Sequence, residues 1–325
     1  MEDLKSELKS MFTSYWYFLA VQKACQLSIF DTIAKANYSL SELVEELYLN
    51  KKTLQYLLAF LEEQDYIMLV EGYYLLSSKG ELLTEKNPNS LKNACILWGE
   101  EHLNAWQNLD YTLRSGLPSF DLLYGYCFFN YLKKDIKKLK NYHLAMSEYA
   151  KDDYKKLPDI IDFSIHKNLI DVGGGLGKLV QYVAQKNPMT VCYLFDLEEV
   201  TSLIKEKNKD FTILSGSFFD PFPFNTDAII LSRVLHDWDD EKALLILENC
   251  QKALSENGKI YIIEITTEAT PAHLLSLNMA AMCNSYERHL RDYQNLLSSL
   301  FMEIIEIKQL NLLQKILVCQ CIAKT

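Results

Sequence analysis

Three ionisable side chains stand where chemistry is possible. His236 follows the apolar run DAIILS (227–232) in Arg233-Val234-Leu235-His236-Asp237-Trp238, Glu264 lies near the end of KIYIIEI (259–265), and Glu287 precedes Arg288 and His289 just before a helix. An imidazole whose far nitrogen is held by one or two carboxylates is what a general base needs, because the carboxylate orients the ring and stabilises its protonated form. The same spacing serves equally for a surface histidine that caps a helix.

The elements that must position these groups begin with NLIDVGGGLGKLVQYVAQKNPMTVCYLFD (168–196). Its apolar runs, three-glycine turn and helical spacing at Leu179, Val183 and Ala184 predict strand, turn, helix, strand. Such a unit binds a ligand at the carboxyl end of its first strand, where glycines admit the backbone closely and the helix offers free N–H groups. A dinucleotide fingerprint starting at Gly173 requires glycine at 178, where the residue is Lys178. The pattern is instead G-x-G-x-G over Gly173 to Gly177, behind Asp171, an acid that disfavours a pyrophosphate and favours a cationic ligand. S-adenosylmethionine (SAM), with an ammonium and a sulfonium, meets that requirement better than a ligand-free turn does. Asp196, 21 residues after Gly175, is placed to hold a ribose hydroxyl pair.

Downstream the alternation continues. A helix is predicted at 197–207, strands at 211–214 and 227–232, a helix from Asp239 to Leu254, and a strand at 259–265 after Asn257-Gly258. A long insertion, a helix at 290–300 and the closing strands MEIIEI and KILVCQCIA complete the chain. The fold class is therefore α/β: a doubly wound, mostly parallel sheet ending in an antiparallel pair, with its ligand crevice at the strands' carboxyl ends.

Upstream, residues 11–36 are apolar on more than one face, which predicts a buried helix and, in a terminal segment, packing on a second subunit. Ser39 starts one helix, Asn50 caps another, and MLVEGYYLLSSKG turns as a hairpin at Glu71-Gly72, so the segment reads as a winged helix. Three lysines against eight acids between Ser39 and Thr84 leave a net charge of −5, which speaks against binding DNA. The division expected is 1–88, 89–165 and 166–325. The aromatic stretch SFDLLYGYCFFNYL in the middle segment suits an apolar pocket for a flat substrate, and equally a core.

Composition narrows the class further. The 325 residues, 49% hydrophobic, are enough for two cores, and a net charge of −10 argues against nucleic acid or an anionic membrane as partner. No apolar run reaches ~18 residues and the start MEDLKSELKS is polar, so a cytoplasmic location is expected. Eight cysteines without a C-x-x-C read as reduced core residues.

Together, LIDVGGGLG, FDL (195–197), SGSFF (215–219), RVLHDWDDEK (233–242) and YER (286–288) resemble the signature series of SAM-dependent O-methyltransferases, among them plant caffeic acid, vertebrate acetylserotonin and bacterial polyketide-tailoring enzymes. The resemblance covers nearly the whole chain, and its HDWDDE segment is the most specific part. It implies a Rossmann-like, seven-stranded methyltransferase sheet, a winged-helix dimerisation domain and a homodimer. Carried over by position, the base is His236, supported by Glu264 and Glu287. SAM falls on Asp171, Gly173, Gly175, Asp196 and Leu197, and further on Ser217, Phe218, Ser232 and Trp238. A small hydroxyl acceptor, aromatic or polyketide-like, falls beside Met146, Asp237 and His289. No metal is implied, and no acid-acid-Asn cluster for magnesium is visible.

Five positions depart from the family pattern. Ser217 stands where an acid is usual, Ser276 where an aspartate is, Asn284-Ser285 where glycines are, and His289 where a threonine is common. His289 either meets substrate or caps the helix at 290. Carbon or nitrogen methylation, or another SAM-using reaction, is the alternative activity, and a winged-helix regulator is the remaining one.

Overall fold

The computed structural model describes residues 2–204, 210–269 and 271–322. The chain divides into two compact units, one ending at Leu103 and the other starting at Asn104, so the expected middle segment 89–165 is shared between them.

In the first unit, helix α1 (Glu2–Gln26) starts earlier than the expected residue 11 and is followed by the short helix Ile29–Ile33. Ser39 caps α2 (Leu40–Leu47) in a reciprocal box with Glu42, and the Asn50 side chain caps α3 (Lys51–Glu63) by accepting the Lys52 and Thr53 N–H groups, both at 3.1 Å. Strands β1 (Ile67–Val70) and β2 (Tyr73–Leu76) pair antiparallel. Their turn residues Glu71 and Gly72 both have positive φ, which matches the twist of a tight hairpin. Cys25, Phe30, Leu43, Leu58, Leu61 and Ile67 form the core beneath helices and wing. Within the single chain only the C-terminal half of the first helix lies in this core. Phe12 and Trp16, 63% and 61% exposed, leave an uncovered aromatic face within the single chain.

The second unit is organised by helix α4 (Ile136–Asp153) and a seven-stranded sheet. Strands β3 (Asn168–Val172) and β4 (Val191–Asp196) flank helix α5 (Lys178–Lys186), as the spacing predicts. Then come β5 (Thr212–Ser215) and β6 (Thr226–Ser232), α6 (Asp240–Ala253) and β7 (Leu254–Ile265). Helices α7 (Ala272–Cys283) and α8 (Leu290–Ser299) precede β8 (Met302–Gln309) and β9 (Gln314–Cys321). The strand order is β5-β4-β3-β6-β7-β9-β8, with β9 antiparallel to both neighbours and the first five strands parallel. The order reverses between β3 and β6, and a doubly wound sheet binds its ligand at such a reversal.

Ile170, Val172, Ile229 and Leu231 face one layer of helices, while Leu169, Ala228 and Ile230 face the other, which includes Leu179 and Val183 of α5. Burial on both faces is why these strands read as continuous apolar runs. Two expectations shift. The long insertion contains α7, whose apolar residues surround it without a stripe, so helical periodicity is invisible there. The helix expected at 197–207 is a single turn, Glu198–Thr201, and residues 205–207 lie outside the described residues, as does Ala323 at the end of the last expected strand.

Candidate active site

The glycine turn after β3 is built by conformations that side chains resist. Gly173, Gly175 and Gly177 have φ of 71°, 60° and 77°. Gly174 is needed for space: a Cβ there would sit 2.5 Å from Asp171 Oδ2 and 2.6 Å from Leu194. At Gly175 an added Cβ would meet only His143 Nδ1, at 3.4 Å, so this face of the turn opens outward. Asp196 at the end of β4 accepts the Gly175 N–H at 2.8 Å and its neighbour Leu197's N–H at 2.7 Å. Burial raises its carboxyl to about 6 against those two N–H groups.

Asp171 has a different place from the one expected. It is buried beneath Gly174, so it supports the turn from below instead of lining the open face. Burial, then the charge of Asp196, push its carboxyl up to about 7, opposed by the Val180 N–H, and Oδ2 has no hydrogen-bond partner.

Beyond β5, Ser217 Oγ accepts the Phe219 N–H at 3.2 Å, so the residue standing for the usual acid is used to shape its own turn. The Phe218 carbonyl accepts a hydrogen bond from Asn249 at 3.0 Å, and the Phe218 ring stands edge-on to Trp238, 6.0 Å between centroids. Trp238 also stacks on Phe129. Ser232, ending β6, donates to the hydroxyl of Tyr154 at 2.7 Å.

Immediately after Ser232 the chain turns sharply: Arg233 has φ of 55°, and Leu235–Asp237 form one 3₁₀ turn. Glu264, fully buried on β7, stabilises this turn. Its Oε1 accepts the N–H groups of Val234 (3.1 Å), Leu235 (3.0 Å) and His236 (3.4 Å), and its Oε2 faces Arg233 Nη1 at 3.3 Å. The expected support of the His236 ring by Glu264 is therefore corrected. Glu264 holds the backbone that carries the ring, because both its oxygens are already engaged.

Glu287 does reach the ring. His236 Nδ1 lies 3.3 Å from Glu287 Oε1, at ion-pair distance but without hydrogen-bond alignment. His236 Nε2, on the opposite side, is 3.4 Å from Asp237 Oδ1. Burial and the Arg233 charge lower the imidazole's basicity, and the carboxylates of Asp237, Glu264 and Glu287 outweigh them, so His236 titrates above its ordinary 6.5. Burial also opposes the charge of Glu287, yet His236 and Arg233 bring that carboxyl down to about 2.

His236, Glu264 and Glu287 lie close enough to share a metal ion. The cation among them is Arg233, which bridges both carboxylates. Arg288, fully buried, ties the segment down by donating to the carbonyls of Leu235 (2.6 Å) and Trp238 (2.7 Å) and to Asp240 (2.9 Å). His289 is the cap of α8. Its Nδ1 accepts the Arg291 N–H and its Nε2 faces Glu268 at 3.2 Å, which is the capping reading of the two. Met146 is half-buried on α4.

Sequence reasoning passed over Arg233, Arg288, Tyr154 and His143 as site residues. Arg233 and Arg288 sat in view inside the two motifs, and their function depends on partners about 30 and 50 positions away. Tyr154 and His143 had no signal, since each meets the site only through the packing of α4 and the turn that follows it.

A parallel sheet with a glycine turn at its order reversal, an acid ending the next strand and a histidine–carboxylate pair after β6 define a nucleoside-cofactor transferase of the α/β class. The O-methyltransferase domain family matches residues 106–300. The chain is 28% identical to the phenazine O-methyltransferase PhzM of Lysobacter antibioticus, over 91% of this chain and 90% of that one. It is 30% identical to the cephaeline 6'-O-methyltransferase of Carapichea ipecacuanha over 88% and 87%. The solved structure of LaPhzM superposes with a TM-score of 0.93 over 98% of this chain and 99% of that chain at 26% identity, and human N-acetylserotonin methyltransferase in complex with SAM with 0.90 over 98% of each at 22%. The chain belongs to the O-methyltransferase family and is a SAM-dependent enzyme. Its residues fit that cofactor: a Cβ at Gly175 would fill the open face of the turn, and Asp196 and Phe218 flank the turn at neighbouring strand ends. Among the described residues no helix is long and apolar enough to cross a membrane.

Proposed function

We propose that the enzyme methylates a hydroxyl of a small aromatic or polyketide-like acceptor, with His236 as general base. The observation that carries this reading is the His236–Glu287 pair after β6, with Nδ1 facing the carboxylate and Nε2 directed away from it. Bound SAM supplies an electrophilic methyl on a sulfonium. The turn at Gly173 and Gly175, Asp196, Leu197, Phe218, Ser232 and Trp238 would hold it, with Asp171 and Ser217 shaping the loops beneath.

Neutral His236 accepts the acceptor's proton at Nε2. A phenol of pKa ~10 is almost wholly protonated at pH 7, so a base adds directly to the rate. As the ring becomes charged, Glu287 stabilises it, and Glu264 keeps the turn from moving. Asp237 and Met146 are assigned to the acceptor side. A homodimer formed through the exposed face of α1 is part of the same reading.

Incubation with SAM and a panel of phenols, catechols and hydroxyquinones, read by product mass and NMR, tests it; transfer to carbon or to no member of the panel would refute the acceptor class. Nitrogen acceptors are the second reading, favoured by a 30% identical relative, the anthranilate N-methyltransferase of Ruta graveolens, covering 78% of this chain and 73% of that one. Aminobenzoates added to the panel separate the two.

A further inference from the structure

The open face of the glycine turn has one side chain opposite it. His143, on α4, directs Nδ1 to within 3.4 Å of where a Cβ of Gly175 would stand, and apart from the glycine's chain neighbours no other side chain among the described residues comes within 4 Å of that point. The ring is set by Tyr142, whose ring it meets edge-on at 5.2 Å, and it makes no hydrogen bond among the described residues. Burial holds the imidazole down at about 4, so at neutral pH it offers one N–H and one lone pair. A neutral, preoriented imidazole with no protein hydrogen bond among the described residues is free to pair with a ligand seated on the turn.

We infer that His143 is a cofactor-binding residue, hydrogen-bonding through Nδ1 to the polar groups of SAM, or of its product S-adenosylhomocysteine, that lie over Gly175. The inference rests on the cofactor site of the reading above and adds a wall to it. The glycine turn and Asp196 bind from the sheet side, and α4 closes the opposite side with His143. Met146 is one helical turn away on the same helix face, so one helix serves both ligands: His143 meets the cofactor and Met146 the acceptor.

The test is calorimetric titration of SAM and S-adenosylhomocysteine into wild type, His143→Leu and His143→Asn, with long-range ¹H–¹⁵N spectra of the wild-type imidazoles during the S-adenosylhomocysteine titration. Leucine keeps most of the volume without a polar atom, and asparagine keeps a donor and an acceptor. His143→Leu is expected to bind both ligands about tenfold more weakly, and His143→Asn within about threefold of wild type. One nitrogen resonance of a neutral imidazole, absent from the His143→Asn spectrum, is expected to move as the ligand binds. Equal affinity in His143→Leu, equal losses in both variants, or an unmoved resonance would each overturn the inference while leaving the function intact. A wild-type protein that binds neither ligand would overturn both.

Discussion

Arg233 grips Glu287 through both terminal nitrogens, at 2.9 and 2.6 Å, on the same carboxylate that faces His236 Nδ1 at 3.3 Å. Glu287 is thus shared between a permanent cation and a titratable one. Arg233 keeps Glu287 ionised and correctly turned, and its own charge lowers the proton affinity of His236. Removing Arg233 leaves Glu287 and Glu264 buried without their cation. Arg233→Ala is expected to destabilise the fold by ~3–5 kcal/mol in denaturant unfolding. In the milder Arg233→Gln, the rate–pH profile is expected to shift to higher pH, because the imidazole loses a neighbouring positive charge. A stable Arg233→Ala protein with an unmoved profile in Arg233→Gln would show that the bridge is incidental.

His236→Ala is expected to lower turnover ~10²–10⁴-fold while SAM affinity stays nearly constant, since the imidazole acts on the acceptor's proton. Glu287→Gln should lose less. In wild type the rate rises with pH through the His236 titration, which the surrounding carboxylates place above 6.5. A more acidic phenol, already ionised, should recover activity in His236→Ala. Wild-type turnover of an ordinary phenol by His236→Ala would exclude a base at this position.

Asp196 binds from the end of β4. Asp196→Ala should weaken SAM binding at least tenfold by calorimetry, the loss of a charge-assisted hydrogen bond worth ~1.5–3 kcal/mol. Part of that loss would come from the freed N–H of Gly175. Undiminished affinity would remove Asp196 from the cofactor site.

Asp171 makes stability depend on pH in a stated direction. Its carboxyl titrates near 7 in the folded chain and ordinarily near 3.8, so between these values the unfolded chain holds fewer protons than the folded one. Stability conferred by the neutral acid is therefore complete below pH 3.8 and lost as pH rises through 7. Asp171→Asn, which cannot ionise, is expected to melt above wild type at pH 8, with the difference shrinking toward pH 5. A difference independent of pH would mean that Asp171 does not carry the titration.

The exposed face of α1 includes Phe12 and Trp16, more than half exposed in the single chain. Light scattering at micromolar concentration should give twice the chain mass, and the double variant Phe12→Glu, Trp16→Glu should give one chain mass with unchanged circular dichroism. A monomeric wild type would refute the dimer.

The sequence by itself determined the local frame. Period-two and period-3.6 patterns, the caps at Ser39 and Asn50 and the glycines of 173–177 act within a few residues, so the β3–α5–β4 unit, the winged segment and the acid Asp196 were all legible. The histidine and its partner Glu287 were legible as types at strand and loop ends. What only the tertiary structure decided was the division of labour among the acids. Glu264 and Glu287 look alike in sequence, and it is the parallel register of β7 beside β6, which pairs Ser232 with Ile263, together with the Glu287 N–H donating to Ser276 of α7, that puts one under the backbone and the other beside the ring. Asp171 went beneath the turn, His289 became a cap, and Arg233, Arg288 and His143 entered the site. Arg233 and Arg288 depend on partners tens of residues away in the chain, and hydrogen-bond direction at that range is fixed by how the layers close on one another.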